Sequence, residues 1–205
     1  MENMTESEVT TERRQGPKRS EASHSAILEA TRAELTENGW RSFSVDGVAK
    51  RAKASKQTIY RWWPSIGAMC VDSAMALLPD TPQDVRDPVE RLTALIIPLE
   101  AAARTGTGNY VLRGALMAAT DDAEAGDKWR AWLQNDVRTP LRMLLAELSA
   151  KHVIRRDWDI DQAMDMLLGP IWHRLLIMRS PILEGYSRQL AERFLIQFAP
   201  RQVTQ

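Results

Sequence analysis

Apolar residues recur at three- and four-residue spacing along most of the chain. Between Ser20 and Asn38, Ala22, Ala26, Ile27, Ala30, Ala33 and Leu35 form one stripe, interleaved with Glu29, Arg32, Glu34 and Glu37. That period puts them on one face of an amphipathic helix, and Gly39 supplies the stop expected at its C-terminus. Two short helices follow. Ser44 can cap one that runs to Ala52 and buries Val45, Val48 and Ala49; Ser55 can cap another reaching Trp62 or Trp63, where Pro64 ends it. Ser65 caps a fourth, extending to Leu78 before the break Pro79-Asp80-Thr81-Pro82. Longer helices are predicted over 87–104, 110–120, 127–150, 159–179 and 186–198, separated by Gly, Pro and Asp clusters. Sustained period-two alternation is lacking, and no Asn-Gly or Asp-Gly turn lies between β-branched runs. The expected fold class is therefore all-α, with about nine helices. Pro170, preceded by Gly169, falls inside the eighth and removes one backbone donor, which predicts a kink.

Composition narrows the class. With 205 residues, 44% hydrophobic and 26% charged, the chain has the make-up of an ordinary globular protein rather than a disordered one. No apolar run approaches the roughly 20 residues needed to cross a bilayer, and Met1–Arg14 lacks the apolar core of a signal peptide. A cytoplasmic protein with no membrane partner is expected. Cys70 stands alone, which excludes an intrachain disulfide and a cysteine metal cluster, and a buried inert thiol is expected. His24 and His152 have no partners at metal-ligand spacing, so neither a metal nor another cofactor is called for.

Charge changes the picture more. The total is zero, 27 Lys and Arg against 27 Asp and Glu, which argues against a uniformly basic nucleic-acid coat protein. Its distribution is uneven. Between Arg13 and Cys70 there are eleven basic residues and five acidic ones, whereas from Pro79 onward there are sixteen and seventeen. A basic surplus confined to the first third suits a module that meets a polyanion, although a solvated basic face without a partner has the same composition.

The two short helices joined at Ala52-Lys53-Ala54-Ser55 match a helix-turn-helix, whose second helix lies in the major groove of DNA. On that helix Ile59 and Trp63, spaced i and i+4, can face the core and leave Lys56, Gln57, Thr58, Tyr60, Arg61 and Trp62 outside. Lys56 and Arg61 can donate to guanine, Gln57 can pair with adenine, and Thr58 and Tyr60 can donate hydroxyls to phosphates. Partial core packing is the alternative for Tyr60 and Trp62.

The segment resembles the TetR family of ligand-responsive transcriptional repressors. The likeness runs from Asn38-Gly39-Trp40 through Phe43-Ser44-Val45-Asp46-Gly47-Val48-Ala49 to Ser55-Lys56-Gln57-Thr58-Ile59-Tyr60-Arg61-Trp62-Trp63-Pro64-Ser65, within residues 20–66. By resemblance, Ser44 and Lys56 through Trp62 form the DNA-contact surface. Three departures stand out. Lys53 occupies a turn position usually held by Gly, which asks for a left-handed backbone at a cost of about 1 kcal/mol. Ser65-Ile66-Gly67 replaces a Ser-Lys-Glu start whose Lys would clamp a phosphate, and Trp62 stands where smaller or more polar side chains are usual.

The resemblance implies three parts: a flexible basic arm over 1–19, a DNA-binding head over 20–66, and a helical body over 67–205 that binds a small effector and dimerises. For the homodimer interface the last two helices carry more apolar residues than one face needs, and Ile160, Leu167, Ile171, Leu175, Met178, Leu190, Phe194 and Phe198 are the candidates. Burial of these residues inside one subunit is the alternative. Met117, Trp129, Trp132, Met143, Met164 and Trp172 can line an apolar or aromatic effector cavity, with Asn109, Arg113 and His173 as polar handles. Ordinary core packing remains open for them. The expected function is a sequence-specific DNA-binding regulator, a dimeric repressor of a pseudo-palindromic double-stranded DNA operator released by a small molecule. A helical interaction module that meets DNA without selectivity, or meets a protein, is the second reading. No nucleophile, base and orienting group converge at recognisable spacing, so an enzyme is not expected.

Overall fold

The computed structural model describes residues 18–79 and 85–200, and its regular elements are all helical. They are α1 (Lys18–Asn38), α2 (Val45–Ala52), α3 (Lys56–Trp62), α4 (Ile66–Met75), α5 (Pro88–Arg104), α6 (Gly106–Asp121), α7 (Ala123–Trp132), α8 (Thr139–Ala150), α9 (Ile160–Trp172) and α10 (Tyr186–Gln197). A single 3-10 turn, Trp40–Ser42, sits between α1 and α2. The wide turn Leu133–Arg138 carries α7 into α8, and a second one, His173–Met178, prolongs α9. Counted as continuous rods, the described residues form nine, as the hydrophobic pattern implied.

The predicted caps are in place. Ser44, Ser55 and Ser65 accept the backbone N–H groups of Gly47, Thr58 and Ala68. Two helix starts lie earlier than the pattern suggested. Thr105 caps α6 by accepting the N–H of Gly108, and Asp122 caps α7 by accepting that of Ala125. Glycines and aspartates that read as breakers are here the first turns of helices.

Pro140 was not foreseen as a problem for the seventh rod, yet it has no N–H and its ring crowds the carbonyl four residues back. The chain widens just before it: the N–H of Thr139 bonds to the carbonyl of Gln134, five residues away. Pro170 does not end its helix, which continues through a similar turn to Met178.

Two hydrophobic cores stack end to end. The smaller holds Ile27, Leu28, Val48, Ile59, Trp63, Ala68 and Met69, and the larger holds residues of α5 through α10. Both α1 and α4 enter both cores: Leu35 follows Leu28 into the larger one, and Cys70, Val71 and Ala74 follow Met69. Cys70 is fully buried, and desolvation pushes its thiol pKa up, away from reactivity.

Burial inside one chain accounts for most of the residues expected at a subunit interface. Leu167, Ile171, Leu175, Phe194 and Phe198 are covered by their own body, because α10 packs on α5 and α9 and the α9 rod also meets α8. Phe194 and Phe198 stack on each other at 4.5 Å, with Trp158 against Phe198 at 5.0 Å. Ile160 and Leu190 are half-buried, and Met178 alone of the eight is exposed. The apolar surface left open instead includes Met166, Ile177, Met178, Leu183 and Ile196.

Across the body, Arg91 on α5 grips Glu147 on α8 with two hydrogen bonds of 2.8 and 2.6 Å, and Lys151 adds a third of 2.7 Å. These cations hold the Glu147 carboxyl at about 2, below its ordinary 4.5. A carboxyl depressed on folding stabilises the fold above its unfolded pKa and loses that contribution as pH falls through its folded one. The stability difference between the wild type and Glu147→Gln should thus be constant near neutrality and shrink between about 4.5 and 2 in urea titrations at each pH. A difference independent of pH would refute this account.

Candidate nucleic-acid interface

The turn between α2 and α3 takes the shape that its sequence resists. Lys53 lies in the left-handed region at φ 51°, and its N–H closes α2 onto the carbonyls of Ala49 and Lys50. The strained residue stops α2 and lets Ser55 begin α3 at once. Ile59 and Trp63 then pin α3 to the smaller core, both at least 98% buried.

That anchoring turns the other side of α3 outward. Lys56, Gln57, Tyr60, Arg61 and Trp62 are exposed and Thr58 is half-buried, so the residues expected to read DNA share one surface. Gln57, Thr58, Tyr60 and Arg61 line a common hollow on it. Lys56 Nζ lies 2.6 Å from Asp46 Oδ1, and the hydrogen bond to that carboxylate raises the lysine pKa, keeping it a cation. Ser44 is half-buried; its hydroxyl accepts from Gly47, and its own proton stays available to a phosphate oxygen. Trp62 is partly committed: the His24 ring meets it edge-on at 5.0 Å while stacking on Trp63 at 4.7 Å.

Several residues that hold this surface were not singled out in the sequence. Glu34, 3% exposed on α1, accepts a hydrogen bond from Arg51 of α2, which also grips Glu37. Gly47 permits the approach, since a Cβ there would lie 2.5 Å from the Glu34 carboxylate. The signal was present: Thr31 and Glu34 fall inside the apolar stripe of α1, and both are buried. At the junction with the body, two buried or half-buried indoles donate to carboxylates at 2.7 Å, Trp40 to Asp121 and Trp63 to Asp72. Gly67, where a phosphate-binding start was missing, is buried against α7; a Cβ there would come within 2.9 Å of the Cβ atoms of Ala125 and Asp122. Gly114 likewise admits Leu35, which a Cβ would approach to 2.8 Å.

The effector candidates divide. Trp129 gathers Trp132 at 5.2 Å and Trp172 at 5.9 Å, and Met164 is fully buried. Asn109 and Arg113 are half-buried on α6. Met143 and His173 face solvent, and Met117 is partly exposed, so these three lie at the surface of this chain. Two surface hollows of the body, of about 380 and 260 Å³, are lined by other residues, around Trp158 and around Pro79. Among the described residues no helix is long and apolar enough to cross a membrane, and no group of three or more His, Cys, Asp or Glu could hold a metal ion.

Comparison with known proteins meets this geometry at both ends of the chain. Residues 27–70 match the model of bacterial regulatory proteins of the tetR family, and residues 82–194 match that of the tetracyclin repressor-like C-terminal domain. The HTH-type transcriptional regulator YdeS of Bacillus subtilis is 33% identical over 183 residues, which cover 86% of this chain and 90% of that protein. A second HTH-type regulator, Rv1556 of Mycobacterium tuberculosis, is 25% identical over 76% of this chain and 77% of its own length. Among solved structures, the TetR family transcription regulator SCO0332 superposes with a TM-score of 0.60 at 27% identity, over 87% of this chain and 99% of that one. The fatty acid degradation regulator FadR from Bacillus halodurans shares the fold at a TM-score of 0.67 and 16% identity, over 84% and 97%. The exposed face of α3, its buried anchors and these matches lead to one assignment: the chain belongs to the TetR family, a DNA-binding helix-turn-helix transcriptional regulator and not an enzyme.

Proposed function

We propose that the protein acts as a homodimeric repressor of a pseudo-palindromic operator and leaves it on binding a small apolar or aromatic effector. The observation that carries the reading is the division of α3, with Ile59 and Trp63 buried and Gln57, Tyr60 and Arg61 presented together outside. A partner copy would cover the apolar surface left at the ends of the last two rods, Ile177, Met178, Leu183 and Ile196. The indole cluster of Trp129, Trp132 and Trp172 supports an aromatic or apolar effector, which would shift the spacing of the two α3 helices. Residues 1–17 of the arm expected over 1–19 lie outside the described residues; the cluster Arg13, Arg14, Lys18 and Arg19 at its end suits the DNA backbone.

Enrichment of random duplex DNA on the full-length protein tests this. Recovered sequences should share two inverted half-sites about one helical turn apart, and affinity should fall steeply with salt. Replacing Arg61 or Gln57 with alanine should cost about 1–3 kcal/mol on the recovered duplex and relax preference at one position of each half-site. Recovery of unrelated sequences, or equal binding to all of them, would overturn the proposal in favour of non-selective binding.

A further inference from the structure

The end of the DNA-reading helix is tied to the body by a chain of polar contacts that crosses three helices. Trp63 follows the last residue of α3, and its indole, 2% exposed, needs a partner for its N–H. It finds Asp72 Oδ2 on α4 at 2.7 Å. The same carboxylate is gripped by Lys128 Nζ of α7, 2.6 Å from each oxygen. Backbone approach reinforces the line: Gly67 lets α4 lie against Ala125 and Asp122 at the start of α7. On the other side, His24 stacks on Trp63 and touches Trp62, the outermost indole of the DNA-facing surface.

We infer that Lys128, a body residue with no place on the DNA surface, is a positioning residue for sequence-selective DNA binding, acting through Asp72 and the Trp63 indole on the end of α3. The inference rests on the DNA-reading role of α3 proposed above. Its physical basis is direction. A carboxylate held by two donors at right distances has one preferred place, and the Trp63 indole follows that place because it is otherwise buried in apolar surroundings. Without the ammonium, Asp72 turns toward water and the N–H of Trp63 loses its fixed acceptor. The residues pinned by Trp63 then sample more orientations, which penalises a fitted site more than a loosely held one.

The test uses full-length protein, a duplex recovered by the wild type from random DNA, and a scrambled duplex of equal length. Lys128→Met keeps the length of the side chain and removes its charge; Lys128 is 39% exposed, so the variant should melt close to the wild type, which circular dichroism checks before binding is compared. It should weaken binding to the recovered duplex about 10-fold and change binding to the scrambled one less than about twofold. Asp72→Asn should behave the same way, and Lys128→Arg should restore affinity to within about threefold. In a Trp63→Phe background, which lacks the N–H, Lys128→Met should have almost no further effect, because both changes cut one line. Three results would overturn the inference: Lys128→Met binding like the wild type, equal losses on both duplexes, or effects of Lys128→Met and Trp63→Phe that simply add. A wild type that selects no sequence at all would instead refute the proposed function, so the two failures are distinguishable.

Discussion

Trp63→Ala should destabilise the protein by about 3–5 kcal/mol, the range for removing a large buried aromatic. The indole fills the smaller core together with Ile27, Val48, Ile59 and Met69, and that core has few other large side chains to close the gap. The change also strips Asp72 of its indole donor and His24 of its stacking partner. In a chain of this size such a loss lowers the melting temperature by roughly 10 °C. Thermal and urea unfolding followed by circular dichroism would measure it, and a loss under about 1 kcal/mol would mean the core does not depend on this ring. Trp62→Ala makes the control: its ring is partly exposed, so stability should change little while DNA binding changes more.

Gly108→Ala carries a comparable effect at the opposite end of the molecule. The sharp corner between α5 and α6 folds Gly108 back over the last turn of α5, so an added methyl would collide with the carbonyl of Ala102 and stand 2.6 Å from Thr105 Oγ1. Both obstacles are fixed, one as backbone and one as the helix cap that accepts the N–H of Gly108. A methyl that cannot be accommodated by rotating a flexible side chain forces the helices apart, at about 3 kcal/mol. Gly169→Ala is the matching comparison, since nothing lies within 4 Å of its added methyl. It sits inside α9, where alanine favours the helix by up to about 1 kcal/mol, so opposite signs are expected for the same chemical change. Equal destabilisation by both would show that the corner is not the cause.

The parts of the fold legible in the sequence are those governed by neighbours in the chain. Ser44, Ser55 and Ser65 announce helix starts because a cap bonds within three residues. The strain at Lys53 was legible only through the family resemblance, which has Gly at that turn position. The face of α3 could be read because two anchors at i and i+4 fix its rotation. What escaped reading depends on which helix lies opposite. Leu167, Ile171, Leu175, Phe194 and Phe198 have the look of an interface, yet α5, α8 and α10 enclose them, and periodicity records a buried face without recording what buries it. Asp72, Lys128 and Asp121 carry no pattern that singles them out, Trp40 stands out only as part of the family likeness, and only the packing of the head on the body makes partners of them. Met143 and His173 show the reverse error, since residue type suggested a cavity and position put them in solvent.

The start of α10 has no cap of its own. Gly185 stands at the capping position with no side chain to offer, and the N–H groups of Gly185 and Ser187 instead donate to Glu100 at 2.8 and 2.6 Å. That carboxylate, 2% exposed, belongs to α5, so the last helix borrows its cap from a residue 85 positions earlier. During synthesis the acceptor therefore leaves the ribosome well before the amides that need it. Until they arrive, the Glu100 acceptor lacks the two amides that hold it in the finished fold, and the last helix brings them both.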